Sequence, residues 1–377
     1  MKRHDSEARR FVVVLRGPSA AYLGPQDSLA INGFPSSLGR VDLVLRSRWV
    51  QHGEGVAYPG HLWIEVTGGA PTLEEAMPAF GNAALALLPV VSLATNAAIG
   101  DPQIEVAFET TSAKREREYF QQYVPPEPKE LFFVRLIHCA SAAALADAVG
   151  KHSDSERLGR ALSQYATALT SWIKGRQSLS IAHLWMAIEA LTKAAIRHEC
   201  ARRGIATSEE LATAMGVRIA DLDAFIRREI ILQGDADCYA KARKASDGFE
   251  HGYLGFDEVR ALSGETRDRM GRYVREAILA MLHLPDDVRA RLLGPPYAKP
   301  MGNWPLVRYL RGVLLADSDE LAPPGSAYPL MKWAPSLAKC EQTPDGELRV
   351  EINENLTAEV REGVTFQPRS TEWWRPG

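Results

Sequence analysis

Residues 153–195 read SDSERLGRALSQYATALTSWIKGRQSLSIAHLWMAIEALTKAA. Leu158, Leu162, Tyr165, Leu169 and Trp172 recur at spacings of four, three, four and three, which puts them on one face of an α-helix. Gly175-Arg-Gln-Ser178 interrupts the pattern. Ile181, Leu184, Ile188, Leu191 and Ala195 then form a second apolar stripe that runs out near Ala201-Arg-Arg-Gly204. Two long amphipathic helices joined by a short break predict an antiparallel pair, the unit of an up-down bundle. Ser153-Asp-Ser-Glu156 has the spacing of a capping box at the start of the first helix.

Outward from this pair the pattern stays helical from 131 to 294. Thr207-Ser-Glu-Glu210 is a second capping box. Ile219, Leu222, Phe225, Ile226 and Leu232 predict one helix over 219–232, and Tyr273, Val274, Ala277, Ile278, Met281 and Leu282 another over 256–283. Residues 1–125 read differently. FVVVL (11–15), VDLVL (41–45), HLWIEV (61–66) and QIEVAFE (103–109) are short, rich in β-branched and aromatic residues, and separated by turn residues. One helix intervenes, with Thr72-Leu-Glu-Glu75 as its capping box, and is expected to run to about Pro89. The proline-rich YVPPEPKE at 123–130 marks a boundary. The tail, 295–377, holds two proline-rich runs, then ELRVEIN (347–353), LTAEVRE (356–362) and VTFQP (364–368), which predict a meander of short strands packed onto the N-terminal sheet or the bundle. The expected class is α+β, with a β-rich N-terminal region (1–125), a central all-α bundle (131–294) and a short β-rich tail.

The composition is that of a globular chain: 46% hydrophobic, 24% charged, formal net charge −3. That balance excludes a generally basic nucleic-acid coat. Cys139, Cys200, Cys238 and Cys340 form no CxxC pair, which argues against a disulfide framework or a zinc cluster and for a reducing cytoplasm. The apolar run FVVVL is too short for a secretory leader, and AALALLPVV (83–91) falls short of the roughly 20 apolar residues of a spanning helix, so no membrane segment is expected. GxGxxG after a strand, GxxxxGK[ST], GxSxG and HExxH are absent. Asp221/Asp223 and Asp235/Asp237 diverge on a helix and read as solvated pairs. His198 and Cys200 diverge likewise, so His198-Glu199-Cys200 supplies no metal site, and neither metal nor cofactor is expected.

The chemistry-bearing stretch is KARKASDGFEHGY, 241–253. Gly248 and Gly252 weaken helix there, which predicts His251 at a helix end, open to a cleft. Imidazole titrates near neutrality and can give or take a proton. Arg243 and Lys244 can hold a phosphate, and Asp247 and Glu250 flank the histidine. Glu189, inside the apolar IAHLWMAIEALTKAA, needs a partner, and His183 or Lys193 stand on compatible turns. Trp172 and Trp185 read as core.

A long helix pair, a short helical insert and a basic-to-histidine segment leading into a final helix resemble the HEPN (higher eukaryotes and prokaryotes nucleotide-binding) family. The β-rich region ahead of the bundle narrows the resemblance to the ApeA-like HEPN proteins of bacteria. It implies a bundle that forms a homodimer, and a metal-independent endoribonuclease acting on RNA in anti-phage or stress defence. The family's motif is an arginine, four to six residues, then histidine. His251 carries over, with Arg243 or Lys244 as the cation and Asp247, Glu250 and Glu189 lining the site. Seven residues separate Arg243 from His251 and six separate Lys244, so a bulge at Gly248 would be needed to bring Arg243 into the motif's place. The same degenerate motif fits a non-catalytic HEPN-like scaffold for oligomerisation or partner binding. Residues 151–294 hold 22 Lys/Arg and 20 Asp/Glu, so the bundle is the more positive part of the chain.

Overall fold

The computed structural model describes residues 9–51, 55–111, 116–122, 134–304, 308–343 and 346–373. The proline-rich boundary at 123–130 lies outside them. The chain is α+β: a β-rich N-terminal region, helices in the middle and strands at the C-terminus. The first part contains β1 (Arg10–Pro18), β2 (Ala21–Tyr22), β3 (Leu29–Ser36), β4 (Gly39–Gln51), β5 (Ala57–Gly69), α1 (Leu73–Thr95), β6 (Gln103–Glu109), β7 (Tyr119–Gln121) and β8 (Arg135–Leu136). Six strands form one antiparallel sheet in the order β3-β4-β5-β1-β6-β7. Strand residues alternate faces. Phe11, Val13 and Leu15, Val41, Leu43 and Leu45, and Leu62, Ile64 and Val66 are all at most 3% exposed and share a core with Phe80, Leu87 and Leu93 of α1.

Helix α1 begins as expected, with Thr72 Oγ1 accepting from the Glu75 N–H at 3.2 Å. It passes Pro78 and Pro89 and ends at Asn96, whose φ is 50°. An interior proline removes one helix hydrogen bond and costs about 3 kcal/mol. Burial of Val90, Val91 and Leu93, at about 1.5–3 kcal/mol each, outweighs that cost, so the helix outruns the proline.

The middle contains α2 (Cys139–Lys151), α3 (Ser155–Thr170), α4 (Gln177–Arg203), α5 (Ser208–Ala214), α6 (Leu222–Phe225), α7 (Ala236–His251), α8 (Phe256–Met281) and α9 (Asp286–Leu293). Helices α3 and α4 are antiparallel. Ser180 Oγ donates to the Ser171 carbonyl at 2.8 Å, His183 Nδ1 meets Gln164 Oε1 at 2.8 Å, and Arg197 Nε donates to Asp154 at 2.7 Å. Both apolar stripes, Trp172 and Trp185 are buried. The capping box at 153–156 is not made. Asp154 is the N-cap, and its carboxylate serves Arg197 and Arg157 instead of the backbone.

The single helix expected over 219–232 is a 3₁₀ turn (Ile219–Asp221), α6 and a π-helical turn (Ile226–Ile231). Ile226 and Ile231 are both fully buried and five residues apart, a spacing that suits a π turn and not an α turn. Two helices, Leu73–Thr95 and Gln177–Arg203, are long and apolar enough to cross a membrane by length and composition, but 67% of each apolar window is buried inside the fold.

The tail contains β9 (Arg308–Leu315), β10 (Leu330–Gln342), β11 (Leu348–Glu359) and β12 (Thr365–Trp373). It makes two separate ribbons, β10–β11 and β9–β12, in place of a meander, and the two strands read at 347–353 and 356–362 are one, β11. Leu348, Val350 and Ile352 of β11 pack with Leu337 and with Tyr58 of β5.

Buried polar groups tie the regions together around the end of α1. Asn96 accepts from Tyr165 Oη at 2.6 Å and donates to the Tyr297 carbonyl at 2.9 Å. Arg135 Nη1 donates to the carbonyls of Thr95, Asn96 and Lys299, and Arg275 donates twice to Leu93. Two buried guanidiniums thus cap a helix C-terminus, where the backbone dipole favours positive charge. Burial, and then its neighbour Arg275, push the Arg135 pKa down to about 10.

Candidate functional site

Helix α7 starts at Asp235, whose Oδ1 accepts from the Cys238 N–H at 2.9 Å. It continues unbroken through the whole stretch 241–251, although Gly248 weakens helix. Gly248 sits buried inside it because a Cβ there would stand 2.6 Å from Leu254 Cδ1. The helix ends at His251. Gly252 follows at φ 65°, and its N–H closes onto the Gly248 carbonyl at 3.0 Å. Four residues later α8 departs in the opposite direction.

Side chains bridge this hairpin along its length. Asp235 Oδ2 accepts from Tyr273 Oη at 3.1 Å and from Arg269 at 2.9 Å. Arg269 also reaches Asp237 at 2.8 Å, Lys241 reaches Glu265 at 2.9 Å, and Lys244 reaches Glu258 at 2.7 Å. Asp235 and Asp237 are therefore not merely solvated; Arg269 joins them. The Arg269 hydrogen bond holds Asp237 below the ordinary carboxylate range. Asp235 is held low first by the backbone N–H of Cys238. The hydrogen bond that Lys244 donates to Glu258 raises the Lys244 pKa.

His251 lies at the hairpin tip, exposed, with no hydrogen bond or ion pair among the described residues. Three large apolar side chains stand in solvent beside it in the chain: Phe249, Tyr253 and Phe256, 41%, 58% and 68% exposed. The tip's ring-bearing character was readable from the F-x-x-x-Y-x-x-F spacing across EHG, but only exposure distinguishes it from core.

The other expected site residues divide. Glu250 accepts from Ser246 Oγ at 3.1 Å, so it is not turned to orient the imidazole. Asp247 lies 3.6 Å from Arg243, one turn along the same helix. The bulge at Gly248 that would realign Arg243 is absent. In a regular helix, eight residues leave Arg243 about 80° around from His251, whereas Lys244 shares its face about 10 Å away. Glu189 does not join them. It pairs with Arg227 at 3.3 Å in the π turn that precedes α7, while His183 bonds Gln164 and Lys193 bonds Asp223. The two ends of α7 are about 22 Å apart. His198-Glu199-Cys200 holds no metal cluster among the described residues. Glu199 is engaged by Arg202 and Arg203. The four cysteines are free thiols.

Chemically, the tip can exchange a proton at His251, offer one same-face cation, and bury aromatic surface against a partner. No family model, no curated protein and no solved structure matches this chain.

Proposed function

We propose that this chain is a HEPN-like RNA-targeting protein of the cytoplasm that pairs with a second copy through the α7–α8 tip and cleaves RNA without a metal, in anti-phage or stress defence. The observation that carries the proposal is the unengaged, solvent-facing His251 set among Phe249, Tyr253 and Phe256. Three exposed large aromatic residues around one short turn favour a contact surface. Its charges, Arg243, Lys244 and Arg260 against Glu250, Asp257 and Glu258, are of both signs, as an isologous contact between two copies requires.

Two facing tips would bring two imidazoles to one phosphate. One neutral imidazole takes the proton of the RNA 2′-hydroxyl, and that oxygen attacks phosphorus. The other, protonated, gives its proton to the departing 5′-oxygen, leaving a cyclic phosphate. Lys244 steadies the charge on the phosphate oxygens. Its pair with Glu258 is exposed and weak enough for a phosphate to displace.

A second reading, a non-catalytic scaffold, is favoured by one observation: every cation of the motif already faces a carboxylate, and Arg243 is off the His251 face. Purified protein incubated with total and transfer RNA, with and without EDTA and beside His251→Ala, separates the two. The nuclease reading expects cleavage that survives EDTA and vanishes in the variant. A dimer by light scattering that Phe256→Asp dissociates, with no cleavage by either protein, supports the scaffold. A monomer that leaves RNA intact sinks both.

A further inference from the structure

Helix α1 covers only one face of the N-terminal sheet. On that face the side chains of the central strands are at most 3% exposed. On the other, Val14, Val44, Trp63, Val106 and Phe108 are partly exposed, while Val12 and Arg16 of β1 are 8% and 9% exposed. Strand register fixes what stands there. Arg46 of β4 lies opposite Trp63 of β5, Trp63 opposite Arg16 of β1, and Arg16 opposite Gln103 of β6, a single row across four strands. Arg48 reaches over the Trp63 ring, 5.2 Å from its centroid. Two rows away, Phe108 stands opposite Tyr119, which is 63% exposed.

The charge on this face has a small positive excess. Arg10, Arg16, Arg40, Arg46 and Arg48 occupy it against Asp42 and Glu65, with Glu105 at the bulge opposite Val14 and Leu15. Arg46 is exposed and makes no ion pair among the described residues. Arg46 in this respect differs from the motif cations of the hairpin tip, each of which meets a carboxylate.

We propose that this sheet face binds single-stranded RNA, with bases stacked on Trp63 and on the Phe108–Tyr119 pair and phosphates held by Arg46 and Arg48. The chemistry selects that ligand. An aromatic ring accepts the face of any unpaired base, and arginines set beside it neutralise the backbone. Neighbouring strands are about 4.8 Å apart, so the row spans roughly 15 Å, room for two or three nucleotides. A duplex hides its base faces and offers Trp63 nothing to stack on. The inference goes beyond the hairpin tip and stands whether or not His251 is catalytic.

The test uses the full chain carrying His251→Ala, so that no cleavage consumes the probe. An end-labelled oligouridine of about 12 nucleotides and a duplex of equal length are titrated by fluorescence anisotropy in EDTA, at salt from about 50 to 200 mM. We expect the single strand to bind more tightly than the duplex. Trp63→Ala should weaken it about tenfold or more, and Trp63→Phe, which keeps a ring, should weaken it less. Arg46→Glu should weaken it and flatten the salt dependence. Thermal unfolding confirms that the variants fold, and Arg46→Glu, at an exposed position, decides the matter should Trp63→Ala unfold. The proposal is overturned if the parent does not bind the oligonucleotide, if it prefers the duplex, or if folded Trp63 and Arg46 variants bind as the parent does. Loss of a captured protein partner in those variants, without RNA binding, would make the face a protein-docking surface instead. None of these outcomes bears on RNA cleavage by the wild-type chain.

Discussion

Gly248 shows how one atom sets the geometry of the tip. Alanine is the better helix former by up to about 1 kcal/mol, and position 248 lies in the last turn of α7. Yet an added Cβ would meet Leu254 at Cδ1, Cγ and Cβ, at 2.6, 2.9 and 3.0 Å. The obstruction is the root of the side chain as well as its end, so the turn itself must move. Overpacking costs about 1–3 kcal/mol and outweighs the propensity gain. Gly248→Ala is therefore expected to lower stability by about 1–2 kcal/mol in urea unfolding. A gain in stability would show that the turn relaxes freely. His251, three residues on and unengaged, contributes no fold contact, so its replacement by alanine should leave the melting curve within about 0.5 kcal/mol of the parent.

At the scale of the element, the α7–α8 hairpin is held at one end by Asp235 and along its length by exposed ion pairs. The exposed pairs are individually weak and screened by salt. Asp235 is different: one carboxylate caps α7 and binds both Arg269 and Tyr273 from α8. Removing an N-cap costs about 0.5–2 kcal/mol, and the lost bonds to α8 add to it. Asp235→Ala should cost about 2–3 kcal/mol by chemical denaturation, whereas Lys241→Ala should change little. A loss below about 0.5 kcal/mol would show that the ladder carries the hairpin without its cap.

At the scale of the whole molecule, burial acts on several histidines among the described residues. His138, at the start of α2, His183 in α4 and His198 near its end are each held below the ordinary imidazole value, in every case chiefly by burial. His138 Nδ1 accepts from the Ser141 N–H at 3.3 Å, a role that needs the neutral ring. A lowered folded value means that the unfolded chain binds more protons. The stability they contribute is present above about pH 6.5 and is lost as pH falls through the folded values. Thermal midpoints should therefore drop between about pH 7.5 and 5.5. A midpoint that rises on acidification would contradict this assignment.

The helix pair of the bundle, the four principal strands and the end of α7 at His251 were legible in the sequence because each rests on local period or local turn chemistry. The stripe Leu158-to-Trp172 can be buried on one face only, and Gly252 can end a helix wherever it stands. What local pattern could not determine was decided by distant partners. Helix α1 passes Pro89 because a sheet and a bundle wait to bury Val90, Val91 and Leu93. The Ser153–Glu156 box gives way because Arg197 arrives from another helix. Glu189 leaves the His251 neighbourhood because the π turn presents Arg227. By itself the sequence determined the α3–α4 pair, the four principal strands and the place of His251 at a helix end. Only the tertiary structure decided which cations are claimed by carboxylates and which sheet face stays open, because pairing and exposure depend on neighbours far away in the chain.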